Sequence, residues 1–158
     1  MTPENRLAEL GIELPAPVAP AGLYVAAVRT GNLLFLSGAG PARPDGKFVV
    51  GKVGSDVTVE AAREAARLTG LQLLSSIRHE LGSLDRVARV VKLLGMVNCA
   101  AGFNHTPSVI DGCSELFIEI FGEAGRGARS AVGMAALPFD ICVEIEAIIE
   151  IVGEVTTH

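Results

Sequence analysis

The chain has 158 residues, the size of one domain, and 49% of them are apolar, enough for one continuous core and too many for a disordered chain. Thirteen Lys+Arg against eighteen Asp+Glu leave a formal charge of −5, and with one Tyr and no Trp the basic, aromatic surface of a nucleic-acid binder is not expected. Cys99, Cys113 and Cys142 are odd in number and form no Cys-x-x-Cys pair, which argues against a disulfide framework or thiolate zinc and fits buried free thiols in a reducing cytoplasm.

Thr2-Pro3-Glu4 reads as a helix start, with a hydroxyl N-cap, proline in the first turn and an acid beside it. The acids Glu4, Glu9 and Glu13 have the wrong sign for a secretory leader. The helix should end near Gly11, and Pro15, Pro17 and Pro20 make an extended connector. Residues 24–29 and 33–37 read as strands joined by the turn Thr30-Gly31-Asn32, and 48–50 as a short third strand.

Thr58 should cap a long helix through about Leu81, with Ala62, Ala66, Thr69, Leu73 and Ile77 on one apolar stripe and Gly82 as the stop. Gly70 inside it predicts close approach to the sheet. Residues 87–97 read as a buried strand. The uncharged run from Leu93 to Ile110 is too interrupted by Asn98, Asn104, His105 and Pro107 to span a membrane. Ser108 can cap a second helix with Ile110, Cys113, Phe117 and Ile120 on one face. Strands over 128–135 and 141–152 follow, parted by Leu137-Pro138.

The expected architecture is α+β, a single domain over 1–158. A helix and Pro-rich connector occupy 1–20, and the core at 21–153 is a mixed six-stranded sheet with two main helices on one face. The last strand alternates between an apolar face and a mixed one bearing Glu144, Glu146, Ile148, Glu150 and Val152. A subunit interface would suit the mixed face, and so would a solvated one.

Arg129 shares a strand face with Ala131, Gly133 and Ala135, small residues that leave room for a ligand beside a fork that matches a carboxylate. A structural ion pair fits the pattern as well. Glu144 could position a water and exchange its proton. On pattern Glu146 and Glu150 are its equals, and a solvated strand acid is the plainer reading. His105 sits in an uncharged loop as a surface or capping residue, His79 reads as solvated, and His158 is terminal. No His/Cys/Asp cluster has metal-ligand spacing. Gly38-Ala39-Gly40 lacks the pattern of a phosphate loop.

Ala128-Arg129-Ser130-Ala131-Val132, Leu137-Pro138 and Val143-Glu144-Ile145-Glu146-Ala147 resemble the C-terminal signature of the Rid (YjgF-like) family of enamine/imine deaminases, and Phe35-Leu36-Ser37-Gly38 resembles its second-strand motif. The resemblance covers nearly the whole chain after the first helix. It implies a chorismate-mutase-like homotrimer with a small-molecule cleft between neighbouring subunits, and no metal or organic cofactor. It implies that Arg129 clamps a substrate carboxylate, that Glu144 holds the attacking water, and that Tyr24, Ser37 and Gly38 complete the cleft. The chemistry would be hydrolysis of 2-aminoacrylate-type enamines, or their imines, to 2-oxo acids and ammonia. Ser114 stands where deaminating members usually place asparagine and is a further substrate-binding candidate. Asp111 and Gly127 stand where a longer subgroup often has asparagine and histidine. A non-catalytic binder of small acids would use the same clefts. Ribonuclease activity, ascribed to some relatives, fits the acidic balance poorly.

Overall fold

The computed structural model describes residues 1–153. Helix α1 (Pro3–Glu9) starts as expected: the Thr2 hydroxyl accepts from the Asn5 N–H. Its Glu4 carboxylate accepts from Arg78 and from the Leu84 N–H, tying the N-terminus to the end of the second helix. Burial pushes the Glu4 carboxyl up, but these donors outweigh it and hold it below its ordinary value. The connector is pinned once, where Ser75 Oγ donates to the Pro15 carbonyl.

Five strands form one sheet: β1 (Ala27–Thr30), β2 (Leu33–Ala39), β3 (Val87–Asn98), β4 (Ala128–Met134) and β5 (Val143–Ile151), in the order β1-β2-β5-β3-β4. Only β3 and β4 run parallel. The sixth strand expected at 48–50 is absent, and the sheet is five-stranded. Phe48 and Val50 make single bridges to Ala42 and Ile141, and Gly51, at φ +116, turns the chain away before a ladder can form. The first strand begins at Ala27, not at residue 24. β2 bulges at Ser37 and Gly38, so residues 24–26 keep only isolated bonds to Ser37.

Helix α2 (Val59–Leu81) has the predicted Thr58 cap and a left-handed Gly82 stop, and its predicted stripe is buried. Helix α3 (Thr106–Phe121) begins two residues before Ser108, with Pro107 in its first turn and His105 at the N-cap without a side-chain cap bond. His105 packs edge-on against Phe103 instead. His79 lies in the last turn of α2, and His158 falls outside the described residues. The expectation for Gly70 needs correction. A Cβ there would meet Leu116 and Cys113 on α3, so the glycine lets helix approach helix, not helix approach sheet. Gly112 makes the reciprocal contact, where a Cβ would lie 2.0 Å from the Arg63 carbonyl oxygen.

Both long helices cover one sheet face. Leu34, Val90, Leu93, Val97, Ile145 and Ile149 pack there against Ile77, Ile110, Leu116 and Phe117, each large side chain contributing about 1.5–3 kcal/mol on burial. On the opposite face Val28, Phe35 and Val132 are exposed. No helix among them is long and apolar enough to cross a membrane.

Candidate functional site

The alternation of β5 puts Val143, Ile145, Ala147, Ile149 and Ile151 into the core and turns Glu144 and Glu146 to the other side. The bulge in β2 then matters. Leu36 pairs with Ala147 and Ala39 with Ile145, so Ser37 and Gly38 together stand opposite the single residue Glu146. That irregularity brings Gly38 against Glu144. A Cβ on Gly38 would lie 2.6 Å from Glu144 Oε2, a space that only glycine leaves open.

Glu144 lines a cleft of about 530 Å³. Tyr24, Ser37 and Gly38 line it too, so the structure brings together four of the residues singled out from the sequence. The Ser37 hydroxyl donates to the Val25 carbonyl at 2.6 Å, and the Tyr24 hydroxyl accepts from the Ala21 N–H at 3.2 Å. The first ties the chain at Val25 to the bulge, and the second is a local contact within residues 21–24. The remaining wall is largely apolar: Val18, Phe48, Phe139 and Ile141 contribute to it. No side chain among the described residues donates to Glu144. Burial pushes its carboxyl above its ordinary value, and the like charge of Glu146 pushes the same way. Glu146 itself is exposed and outside the cleft, which separates two acids that sequence pattern left equal.

Arg129 and Ser114 are elsewhere. Arg129 pairs with Leu93 and Leu93 with Ala147, both core residues, so the arginine is on the helix-covered face. Glu144 pairs with Met96 and Met96 with Val132, on the open face. The two residues that the resemblance assigns to one cleft thus lie on opposite faces of one chain's sheet. Arg129 Nη1 donates to Asp111 Oδ1 at 2.7 Å and to Ser114 Oγ at 3.0 Å. Ser114 therefore touches the arginine and not the Glu144 cleft. Asp111 is also 3.9 Å from Arg63. At Gly127 a Cβ would meet the Val90 carbonyl at 2.8 Å, so the backbone there runs close to β3. The thiols are poorly placed for chemistry: burial pushes Cys113 up to about 12 and Cys142 to about 11. Among the described residues no group of His, Cys, Asp and Glu is arranged to hold a metal.

Residues 4–151 match the family described as "YjgF/chorismate_mutase-like, putative endoribonuclease". The chain belongs to this YjgF-like family. Protein TCP17 of Trypanosoma cruzi is 44% identical over 92% of this chain and 91% of its own. Atu1372 of Agrobacterium tumefaciens, a solved structure of unknown function, is 44% identical, with a TM-score of 0.85 over 95% of this chain and 92% of that one. Escherichia coli TdcF, solved with bound serine, is 27% identical, with a TM-score of 0.61 over 85% and 92%. Within this YjgF-like chain, sequence reasoning missed Gln72 and Ser76 of α2 and the connector residues 18–21 as cleft lining. It missed Phe139 as well. Gln72 and Ser76 share a helix face at i, i+4, but nothing in that spacing says what they face; the connector residues and Phe139 lie in irregular backbone that has no periodicity to read.

Proposed function

We propose that the protein hydrolyses small carboxylate-bearing enamines or imines to 2-oxo acids and ammonia, in a homotrimer whose neighbouring copies complete each site. The observation that carries this reading is Glu144, a carboxylate to which no side chain among the described residues donates, kept beside Gly38 in a largely apolar cleft. Such a group is suited to hold a water and to take and return its proton.

An enamine first moves an N–H proton to its β-carbon to become the imine. The water oxygen forms a bond to the C=N carbon, and the π electrons move to nitrogen. Glu144 takes a proton from the water and passes it to the imine nitrogen, giving the carbinolamine. The carbinolamine hydroxyl then gives its proton, through Glu144, to the amino group, and C=O re-forms as the C–N bond breaks and ammonia leaves. The carbon is already electrophilic, so placing water and charge is most of the task. Arg129 holds the substrate carboxylate through the part of its guanidinium that Asp111 and Ser114 leave free. Because Arg129 and Glu144 are on opposite sheet faces, the arginine that serves one cleft comes from another copy. The exposed Val28, Phe35 and Val132 give that copy an apolar surface to cover. The bound serine of TdcF, a small carboxylate, is in keeping with this ligand class.

The test is turnover of freshly generated 2-aminoacrylate by the wild type, by Arg129→Ala, by Glu144→Gln and by the two variants refolded together. Both variants are expected to be impaired and the mixture to regain part of the activity. A mixture no better than its components overturns the shared cleft. No turnover by the wild type, with pyruvate still bound, leaves a non-catalytic acid-binding protein. The formal charge of −5 argues against ribonuclease action, which salt-dependent RNA binding and cleavage would reveal.

A further inference from the structure

The turn before β5 contains two consecutive residues with left-handed backbone, Phe139 at φ 58 and Asp140 at φ 59. A side chain with a Cβ is disfavoured there, and phenylalanine gains nothing from the local hydrogen bonds that make asparagine and aspartate tolerable. The conformation persists because its surroundings fix it. The Asn98 amide, almost fully buried, donates to Asp140 Oδ1 at 3.0 Å and to the Ile141 carbonyl at 3.2 Å. The Gly51 N–H donates to the Asp140 carbonyl at 2.8 Å. A buried amide thus uses both its hydrogens to hold a strained corner.

What this corner presents is a large apolar ring 79% exposed. Neither local preference nor burial in the fold accounts for it, and strain maintained by buried bonds clusters where a site needs a particular shape. The ring lines the same cleft as Glu144, with Val18, Phe48 and Ile141 on the wall. In the single chain this space is about 530 Å³, and its apolar wall offers a ligand side chain a surface to bury against.

We infer that Phe139 is a specificity-determining residue and that the preferred substrate is the imine or enamine of a 2-amino acid with a bulky apolar side chain, which the ring covers while Glu144 serves the C=N carbon. This rests on the deaminase reading for the reaction, but not for the binding preference. Contact with the ring removes apolar surface from water on both partners, and one methylene more or less in such a pocket changes selectivity by about 10–200-fold.

The assembled protein is assayed with imines generated in situ from leucine, phenylalanine and alanine, and binding of 4-methyl-2-oxopentanoate and pyruvate is measured by calorimetry. The wild type is expected to favour the larger member of each set by at least about tenfold in kcat/KM and in Kd. Phe139→Ala and Phe139→Gly should both collapse that ratio. Phe139→Gly should also raise Tm, because glycine adopts φ 58 freely, which keeps loss of preference distinct from loss of fold. Equal preference in the wild type, or a ratio unchanged in both variants, overturns the inference. Discrimination between the 2-oxo acids without turnover of any imine supports the inference and overturns the deaminase reading.

Discussion

The corner around Arg129 and the cleft around Glu144 are opposites built on one sheet. Arg129 is on the covered face, where Asp111 and Ser114 already accept from it. Glu144 is on the open face, where the nearest influences are a glycine, apolar walls and the like charge of Glu146. A charged group with partners is held in shape, whereas one without them is held in readiness. On the proposed reaction the arginine corner positions the substrate and the cleft transfers protons, and each role is open to separate attack.

The largest expected effect is at Glu144. Glu144→Gln keeps the size and loses the base, so turnover should fall by about 10²–10⁴ while a 2-oxo acid still binds. Glu146→Gln is the matched control and should be much milder, since Glu146 lies outside the cleft. Steady-state kinetics with calorimetry separate the two quantities. An equal loss at Glu146 moves the chemistry out of the cleft.

Gly38→Ala comes next. The new methyl would sit 2.6 Å from Glu144 Oε2 and 2.9 Å from its Cδ. The end of a glutamate can swing aside, so the fold should survive and the carboxylate should move. Displacement by about 1 Å reduces turnover by up to roughly 10²-fold. The expected signature is lower kcat with Tm nearly unchanged; unchanged kcat means the position of the carboxylate is immaterial.

Arg129→Ala should weaken binding of a 2-oxo acid by about 10–100-fold, the worth of a lost charge-assisted bond. Its cost to stability should be small. The Arg129 side chain is 25% exposed and that of Asp111 43%, so the pair is screened and contributes about 1 kcal/mol or less. Arg129→Lys should restore stability better than binding, because an ammonium lacks the fork. Unfolding without a binding defect makes the arginine corner structural only.

How much of this was legible beforehand depended on periodicity. The stripe Ala62, Ala66, Thr69, Leu73 and Ile77 and the alternation from Val143 to Ile151 are each set by a repeating geometry, so helix and strand could be read with their buried faces. The short segment 48–50 has strand-forming residues, but its neighbours offer only single bridges, and propensity cannot count partners. Gly70 showed that something approaches closely, not that the neighbour is α3. At the site, pattern alone left Glu144 and Glu146 equal and only the family resemblance chose Glu144; the bulge at Ser37 and Gly38 is what brings that acid into the cleft. Arg129 and Glu144 came from one family signature, and strand register places them on opposite faces. Phe139 carries no sequence signal, since its role depends on a backbone conformation that its own side chain disfavours.

The smallest effect concerns stability and pH, and it tests the contrast between the two regions most directly. Burial, then Glu146, raises the Glu144 carboxyl above its ordinary 4.5 in the folded chain. A group whose folded pKa is raised favours the fold in its protonated form. That contribution is complete below 4.5 and is lost as pH rises through the folded value. Glu144→Gln has no such dependence. Wild type should therefore match the variant in acid and fall behind it as pH climbs to neutrality, by a modest margin because the carboxyl is only half-buried. Paired thermal melts across that range read the trend, with sedimentation recording the assembly state at each pH. The opposite slope, with wild type gaining on the variant as pH rises, would mean that a cation meets Glu144 in the assembled protein. The nearest chemistry for that is Arg129 of a neighbouring copy. The arginine would then be a partner of the carboxylate rather than a free clamp for the substrate, and Glu144 would no longer be the unpaired group on which the hydrolytic reading depends.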